Sequence, residues 1–311
     1  METGTPLDQP AALVPVPGAA GGTWLGQFVR TNFEVFQRDF LALIGLIILL
    51  FFLVVAILAP LIAPYGPTEV IEEDGIWLSN KRPSDQFILG TTNLGRDIFS
   101  QLVYGARPAL LVGFSAAVAV SLIGTLVGLL AGYFGGWVDA LLMRLADIAF
   151  GIPFLPFIIV LSAFLDPSIW NVVLAMAALL WRDSSRVIRA QVLVIREQAF
   201  VSAARVSGAS HLRIVFLYIA PSILPLSFLY GSLAIGWAIL TEASVSFLGF
   251  GDPNVVSWGY MLQDAFLSQA MSRGAFYWFI PPGVCIMLTV MAGFFIGRGY
   301  EEILFPRLRR Q

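Results

Sequence analysis

Few side chains in this sequence could do covalent or metal chemistry. His211 is the single histidine, Lys81 the single lysine and Cys285 the single cysteine. One histidine removes H-E-x-x-H zinc sites and most Ser–His or Cys–His nucleophile pairs. Lys81 lies in the context SNKRP, so no G-x-x-x-x-G-K-[ST] phosphate loop can form anywhere in the chain. Work against a gradient then needs ATP hydrolysed by another chain, or an ion gradient. A lone thiol in a hydrophobic stretch closes no internal disulfide and reads as a small buried apolar residue. What the spacing does offer is mechanical. Residues 196–221, REQAFVSAARVSGASHLRIVFLYIAP, carry Arg196, Glu197, Arg205, His211 and Arg213 between two hydrophobic blocks. Ala199, Phe200, Ala203 and Val206 follow a helical spacing, and Gly208 can end that helix because glycine enters left-handed dihedrals freely. A small, half-apolar helix displayed beyond a membrane suits a groove on another protein. A plain surface helix capping a bundle would have the same pattern.

The elements that hold this stretch are hydrophobic. The chain is 58% hydrophobic and 12% charged, where soluble domains carry about a quarter charged residues, so it reads as an all-α polytopic membrane protein. Residues 1–23, rich in Pro, Ala and Gly, are expected to be a disordered cytoplasmic tail, and residues 24–39 an interfacial helix. Residues 40–63 form the first span, since a bilayer core of about 30 Å needs about 20 apolar residues. Residues 64–108 form an extracytoplasmic loop with an acidic patch, Glu72, Glu73 and Asp74, and then a short amphipathic surface helix, since Ile98, Leu102, Val103 and Ala106 share a helical face. Residues 109–311 form a core of five further spans, with the cytoplasmic loop at 182–213. The second span is 109–133, the third 140–165, the fourth a shorter 168–181, the fifth 214–240 and the sixth 276–296.

Six spans put both termini on one side. With the N-terminus inside, thirteen of the 18 Lys and Arg residues fall in cytoplasmic segments, as cytoplasmic loops require. That gives N-in, C-in, with residues 196–221 facing the cytoplasm.

Within the spans, Gly124, Gly128 and Gly132 are four apart, either as a helix-pairing face or as ordinary glycine enrichment. Pro153 and Pro156 interrupt the third span and could shape a cavity or simply aid packing. Asp147 is an ionisable residue in a span, and an i, i+3 pair with Arg144 is its simpler explanation over a place in a pathway or gate. Glu242, near the outer end of the fifth span, could meet an amine of a substrate or a loop donor, and the loop is favoured. His211 reads as a solvated loop side chain rather than a metal ligand. Trp258 and Tyr260 could anchor at the lipid interface or touch a partner protein.

Three stretches carry a resemblance. Ser202-Ala203-Ala204, Arg205, Gly208 and Pro221 resemble the E-A-A-x-x-x-G loop of binding-protein-dependent ABC importer permeases, which has a proline thirteen residues on, with Ser202 in place of the glutamate. LGTTNLGRDIFSQLVYGARPAL is similar to a signature of peptide and nickel permeases through Gly90, Gly95, Arg96, Asp97, Gly105 and Arg107, departing at Thr92, Gln101 and Pro108. ILTEASVSFLGFG followed by VSWGYML, and the ending FPRLRR, resemble later parts of the same family. The resemblance implies the second, C-type permease subunit of a dipeptide, oligopeptide or nickel importer, with the six-helix type I importer fold in a bacterial inner membrane. It implies partners: a paralogous permease subunit, two cytoplasmic ATPase subunits and an extracytoplasmic substrate-binding protein, with no nucleic acid. It implies no enzyme activity and no bound cofactor in this chain, ATP and Mg belonging to the ATPases. Transport would run by alternating access. A secondary transporter would instead show inverted repeats and paired mid-membrane carboxylates, which the sequence does not display.

Overall fold

A computed structural model of the chain describes residues 35–37, 39–165 and 168–304. The expected tail at 1–23, most of the interfacial segment at 24–39 and the FPRLRR ending lie outside the described residues.

Helix α1 (Phe40–Ile62) starts where the Asp39 carboxylate accepts from the amides of Leu41 and Ala42 at 2.8 and 3.3 Å, supplying the acceptor that two orphan N–H groups of a first turn need. A hairpin follows, β1 (Glu72–Glu73) against β2 (Ile76–Trp77), turned by Asp74 and Gly75 at positive φ. Helix α2 (Ile98–Phe134) runs 37 residues. It absorbs the segment expected to be a separate surface helix. Pro108 reads locally as a boundary, but the helix passes through it, because a charged neighbour and close packing hold the segment on either side. At about 1.5 Å per residue α2 is about 55 Å long, well beyond a bilayer core.

The third hydrophobic segment is broken. Helix α3 (Gly136–Gly151) and α4 (Phe154–Phe164) meet at 84°, with Ile152 and Pro153 extended between them. Pro153 cannot donate to the preceding turn, and the residue before a proline is pushed out of the helical region. Helix α5 (Ile169–Leu179) has 11 residues, about 16 Å, and leads at Leu180 into α6 (Trp181–Arg196). The segment expected as an open cytoplasmic loop thus begins as a four-turn helix. Helix α7 (Ala199–Val206) follows, then α8 (His211–Phe247), α9 (Trp258–Leu267) in the interval between the last two long helices, and α10 (Phe276–Leu304).

Among the described residues, α1, α2, α8 and α10 are long and apolar enough to cross a membrane, and the bent α3–α4 pair would make a fifth crossing. The main core lies between those four helices, with Ile188 and Val192 of α6, Val201 of α7 and Trp258 of α9 packed into it. A smaller one joins Val112 and Ala116 of α2 to Ile158 of α4, Val172 and Met176 of α5, and Ala238 and Val245 of α8. The beginning of α1 and the end of α10 lie together, with Asp39 3.8 Å from Arg298.

Candidate functional site

The 196–221 stretch folds as a helix, a turn and the entry to a long helix. Val201 and Ala204 of α7 are buried, while Ser202, Ala203, Arg205 and Val206 face outward, Val206 at 90% exposure and Leu212 beyond it at 60%. The outward face is small and apolar around one guanidinium. Gly208 ends α7 at φ +77°, where no Cβ would meet an atom, so the backbone angle alone demands glycine. Its amide reaches the Arg205 carbonyl at 3.0 Å and that of Ala209 reaches Ala204 at 3.1 Å, satisfying the last orphan acceptors of the helix. The Ser210 hydroxyl caps α8 by accepting from the Arg213 amide at 3.4 Å. Residues 214–219 then form a π-helical turn, which admits Pro221 at the start of the regular helix where its missing N–H would otherwise break the ladder.

This turn is tied to α2. The Tyr133 hydroxyl hydrogen-bonds Nδ1 of His211 at 2.9 Å, and the Arg205 guanidinium lies 5.8 Å from the Tyr133 ring. His211 is exposed, yet it is held by this bond and by the Phe134 ring, not free in solvent. Arg196, closing α6, donates to the carbonyls of Gly132 and Tyr133 at 3.0 and 3.4 Å, a cation set at the negative end of α2. Below it the glycines of α2 form the seam with α6. A Cβ on Gly128 would fall 2.7 Å from Ile188, and one on Gly132 2.7 Å from Val192. Of the two readings of Gly124, Gly128 and Gly132, the pairing face is the one built.

Helix α6 also grips α3. Arg189 meets both carboxylate oxygens of Asp139 at 2.5 Å, a two-pronged charge-assisted pair. Asp147 pairs with Arg186 of α6 and not with Arg144 as its spacing suggested, because Arg186 also stacks 4.1 Å over Phe150, a contact a neighbour on the same helix cannot make. A guanidinium N–H of Arg182 donates to the Ala149 carbonyl. Sequence reasoning missed Tyr133, Asp139, Arg182 and Arg189 as structural players. The signal was present in the arginines at 182, 186, 189 and 196, which recur at helical spacing on one face.

At the other end of α2 the stretches 64–97 and 248–275 interlock. Gly90 sits at φ +73° with the Lys81 carbonyl where a side chain would go. Thr92, standing where the related signature has aspartate, accepts from the amides of Leu94 and Arg96 at 3.2 and 3.1 Å and closes the tight turn that contains Gly95. Asp97 caps α2, accepting from the Ser100 amide at 2.7 Å. Gly105 is the seat of Trp258: a Cβ there would lie 2.7 Å from the indole, whose N–H donates to the Leu102 carbonyl at 2.9 Å. Trp258 is 1% exposed and packs on Phe52 with ring centroids 5.3 Å apart, so it is a core residue, neither a lipid anchor nor a docking side chain. Glu242 is buried and accepts from the hydroxyl of Ser246, one turn on in the same helix, at 2.7 Å. Asp264 of α9 is held above the ordinary carboxylate range by burial, with Arg96 pulling it partly back. Asp147 and Glu242 have separate partners, and Pro153 and Pro156 mark the bend and first turn of α4, so these four residues form no single cluster. Among the described residues no group of acidic, histidine or cysteine side chains could hold a metal ion.

Residues 124–310 match the model of the family described as binding-protein-dependent transport system inner membrane component. Residues 28–83 match a second model, the N-terminal TM domain of oligopeptide transport permease C. The chain is 36% identical to the dipeptide transport system permease protein DppC of Alkalihalophilus pseudofirmus, covering 90% of each chain. It is 35% identical to the oligopeptide transport system permease protein OppC of Bacillus subtilis over 88% of each. It is 34% identical to the glutathione transport system permease protein GsiD of Pectobacterium atrosepticum, over 90% of this chain and 93% of that one.

Proposed function

The chain belongs to the family of binding-protein-dependent transport system inner membrane components, and from that premise we propose that it is the C-type permease subunit of an importer that carries peptides across a bacterial inner membrane by alternating access. Relatives named for dipeptides, oligopeptides and glutathione, matched over nearly the whole chain, support peptide as the substrate class. The chain itself binds no nucleotide. ATP with Mg is hydrolysed in two cytoplasmic subunits, a paralogous permease subunit completes the pathway, and an extracytoplasmic binding protein delivers the peptide.

One observation carries the coupling role: the outward face of α7 and the Gly208 turn, small, apolar and joined through Tyr133, Arg196 and His211 to the end of α2. Ser202, Ala203, Ala204, Arg205 and Gly208 act as mechanical contacts for an ATPase subunit, with Pro221 setting the entry of α8. The remaining two of six crossings are the bent α3–α4 pair and α5 extended by α6. The shared end of α1 and α10 supports N-in, C-in, and that end is the cytoplasmic one. The outer interval of residues 64–97 with α9 forms the face toward the binding protein.

The test is reconstitution of the chain with its partner subunits in proteoliposomes. Uptake of a labelled peptide should require ATP on the side of α7 and the binding protein on the other. Uptake driven by an ion gradient alone, without ATP, would overturn the reading in favour of a secondary transporter.

A further inference from the structure

Among the backbone carbonyls that lose a helical donor to proline, those of Ala56 and Ala149 are each taken by an arginine from a neighbouring helix. Pro60 lies inside α1 and has no N–H for the Ala56 carbonyl one turn before it. Nε of Arg107, from α2, donates to that oxygen at 2.7 Å. Pro153 follows the end of α3 and has no N–H for the Ala149 carbonyl. Arg182, from α6, donates to it. The two sites lie on different helix pairs, and Ala56 and Ala149 are both buried. Each guanidinium is steadied by an aromatic ring on the helix next to its acceptor or on its own: Arg107 lies 5.2 Å from the Tyr104 centroid and Arg182 4.6 Å from that of Phe150.

A carbonyl without a donor is costly inside a bilayer, where no water can replace the lost bond. A charged donor makes the stronger substitute, and its own charge is shared with the peptide dipole instead of needing a carboxylate. Arginine serves better than lysine here, because its planar fork reaches the carbonyl while the ring face contacts the aromatic neighbour. The bond also adds a polar link to helix pairs already held by packing or ion pairs.

We propose that Arg107 and Arg182 are positioning residues that latch proline-broken spans to their neighbours, Arg107 tying α1 to α2 and Arg182 tying the bend at Pro153 to α6, the helix that enters the α7 turn. The Arg182 latch makes the third segment follow α6. That part rests on the transport reading above, whereas the latches themselves are features of the fold.

The latch depends on the proline, so returning the N–H should make the arginine dispensable. The experiment is a pair of double-variant cycles in the complete transporter: Arg107→Ala with Pro60→Ala, and Arg182→Ala with Pro153→Ala. Melting temperature and uptake of a labelled trialanine peptide are both measured. Arg107→Ala should lower the melting temperature and slow uptake about tenfold, equivalent to about 1.4 kcal/mol. Pro60→Ala alone should be close to the parent, and the double variant should recover most of the loss. Arg107→Lys, keeping one donor, should retain part of the function. Arg182→Ala should also raise the ATP hydrolysed per peptide, a loss that Pro153→Ala reduces. Additive losses in the Pro60 cycle would overturn the proposal even if the second pair fails to assemble. If the parent complex takes up no peptide, the transport reading has failed, and the melting temperatures of the same cycle still decide the latch.

Discussion

Tyr133 and His211, 78 positions apart, are joined by a hydroxyl–imidazole bond of 2.9 Å at the point where α2 ends and α8 begins. The bond makes the last turn of one crossing helix a neighbour of the α7 turn. Tyr133→Phe keeps the ring under Arg205 and removes only this bond, worth about 1 kcal/mol for a neutral pair. ATP hydrolysis by the assembled transporter should stay near normal while peptide uptake falls several-fold, read as the ratio of the two rates.

Gly208 has no neighbour to obstruct a side chain, only a left-handed backbone. Gly208→Ala should therefore cost about 1–2 kcal/mol locally without disturbing the bundle. Gly208→Pro cannot adopt positive φ at all and should abolish transport while leaving membrane insertion intact. Ala203→Glu places a charge on the exposed face of α7 and should act similarly. Normal uptake by these variants would show that the turn is not where force enters. Binding of the ATPase subunit, measured by copurification, checks the cause.

The seam between α2 and α6 is set by glycine, and a single methyl should open it. A Cβ on Gly128 meets Ile188 at 2.7 Å and the Ser185 carbonyl at 2.8 Å, and backbone cannot yield as a side-chain tip can. Gly128→Ala should destabilise the complex by about 1–3 kcal/mol. Gly151→Ala, at a helical position where no atom lies near, should cost far less. The comparison of melting temperatures separates crowding from a general aversion to substitution.

Much of the α7 turn was legible in the sequence because its determinants are local. Helical spacing through Val206, glycine at a left-handed position and a proline opening the next helix each act within a few residues. The bend at Pro153 was legible for the same reason. Asp147 was misread because spacing along one helix shows only Arg144, while Arg186 arrives through the packing of α6. Trp258 was misread because an indole in an outer interval looks like an interfacial residue until the vacancy at Gly105, over 150 positions away, is placed beneath it. Pro108 suggested a boundary that tertiary contacts override.

That vacancy gives another test. Gly105→Val should expel the Trp258 ring and break its bond to the Leu102 carbonyl, costing both signature stretches their contact. Trp258→Phe loses the bond and part of the buried ring but keeps an aromatic seated over Gly105, and should be milder. Limited proteolysis of the outer interval, increased for the first variant and little changed for the second, would report the difference.

Acidity should act through Asp264. Burial raises its carboxyl above the ordinary range, so the folded state holds the proton more tightly than the unfolded chain does. Its stabilising contribution is full below the ordinary carboxylate range and is lost as pH rises through the raised value. The melting temperature should therefore decline across that window. Asp264→Asn, neutral throughout, should flatten the decline and be the more stable form at neutral pH.

Helix α2 is one continuous rod from the Asp97 cap at one end to the Arg196 cap at the other. Its length of about 55 Å makes it a lever whose arms extend past the membrane on both faces. A tilt of about 5° about the midpoint would shift each tip by about 2 Å in opposite directions, given that length. The end beside Tyr133 and the end beside Asp97 would report one another's displacement through stiffness alone, with no relay of rearranging side chains between them.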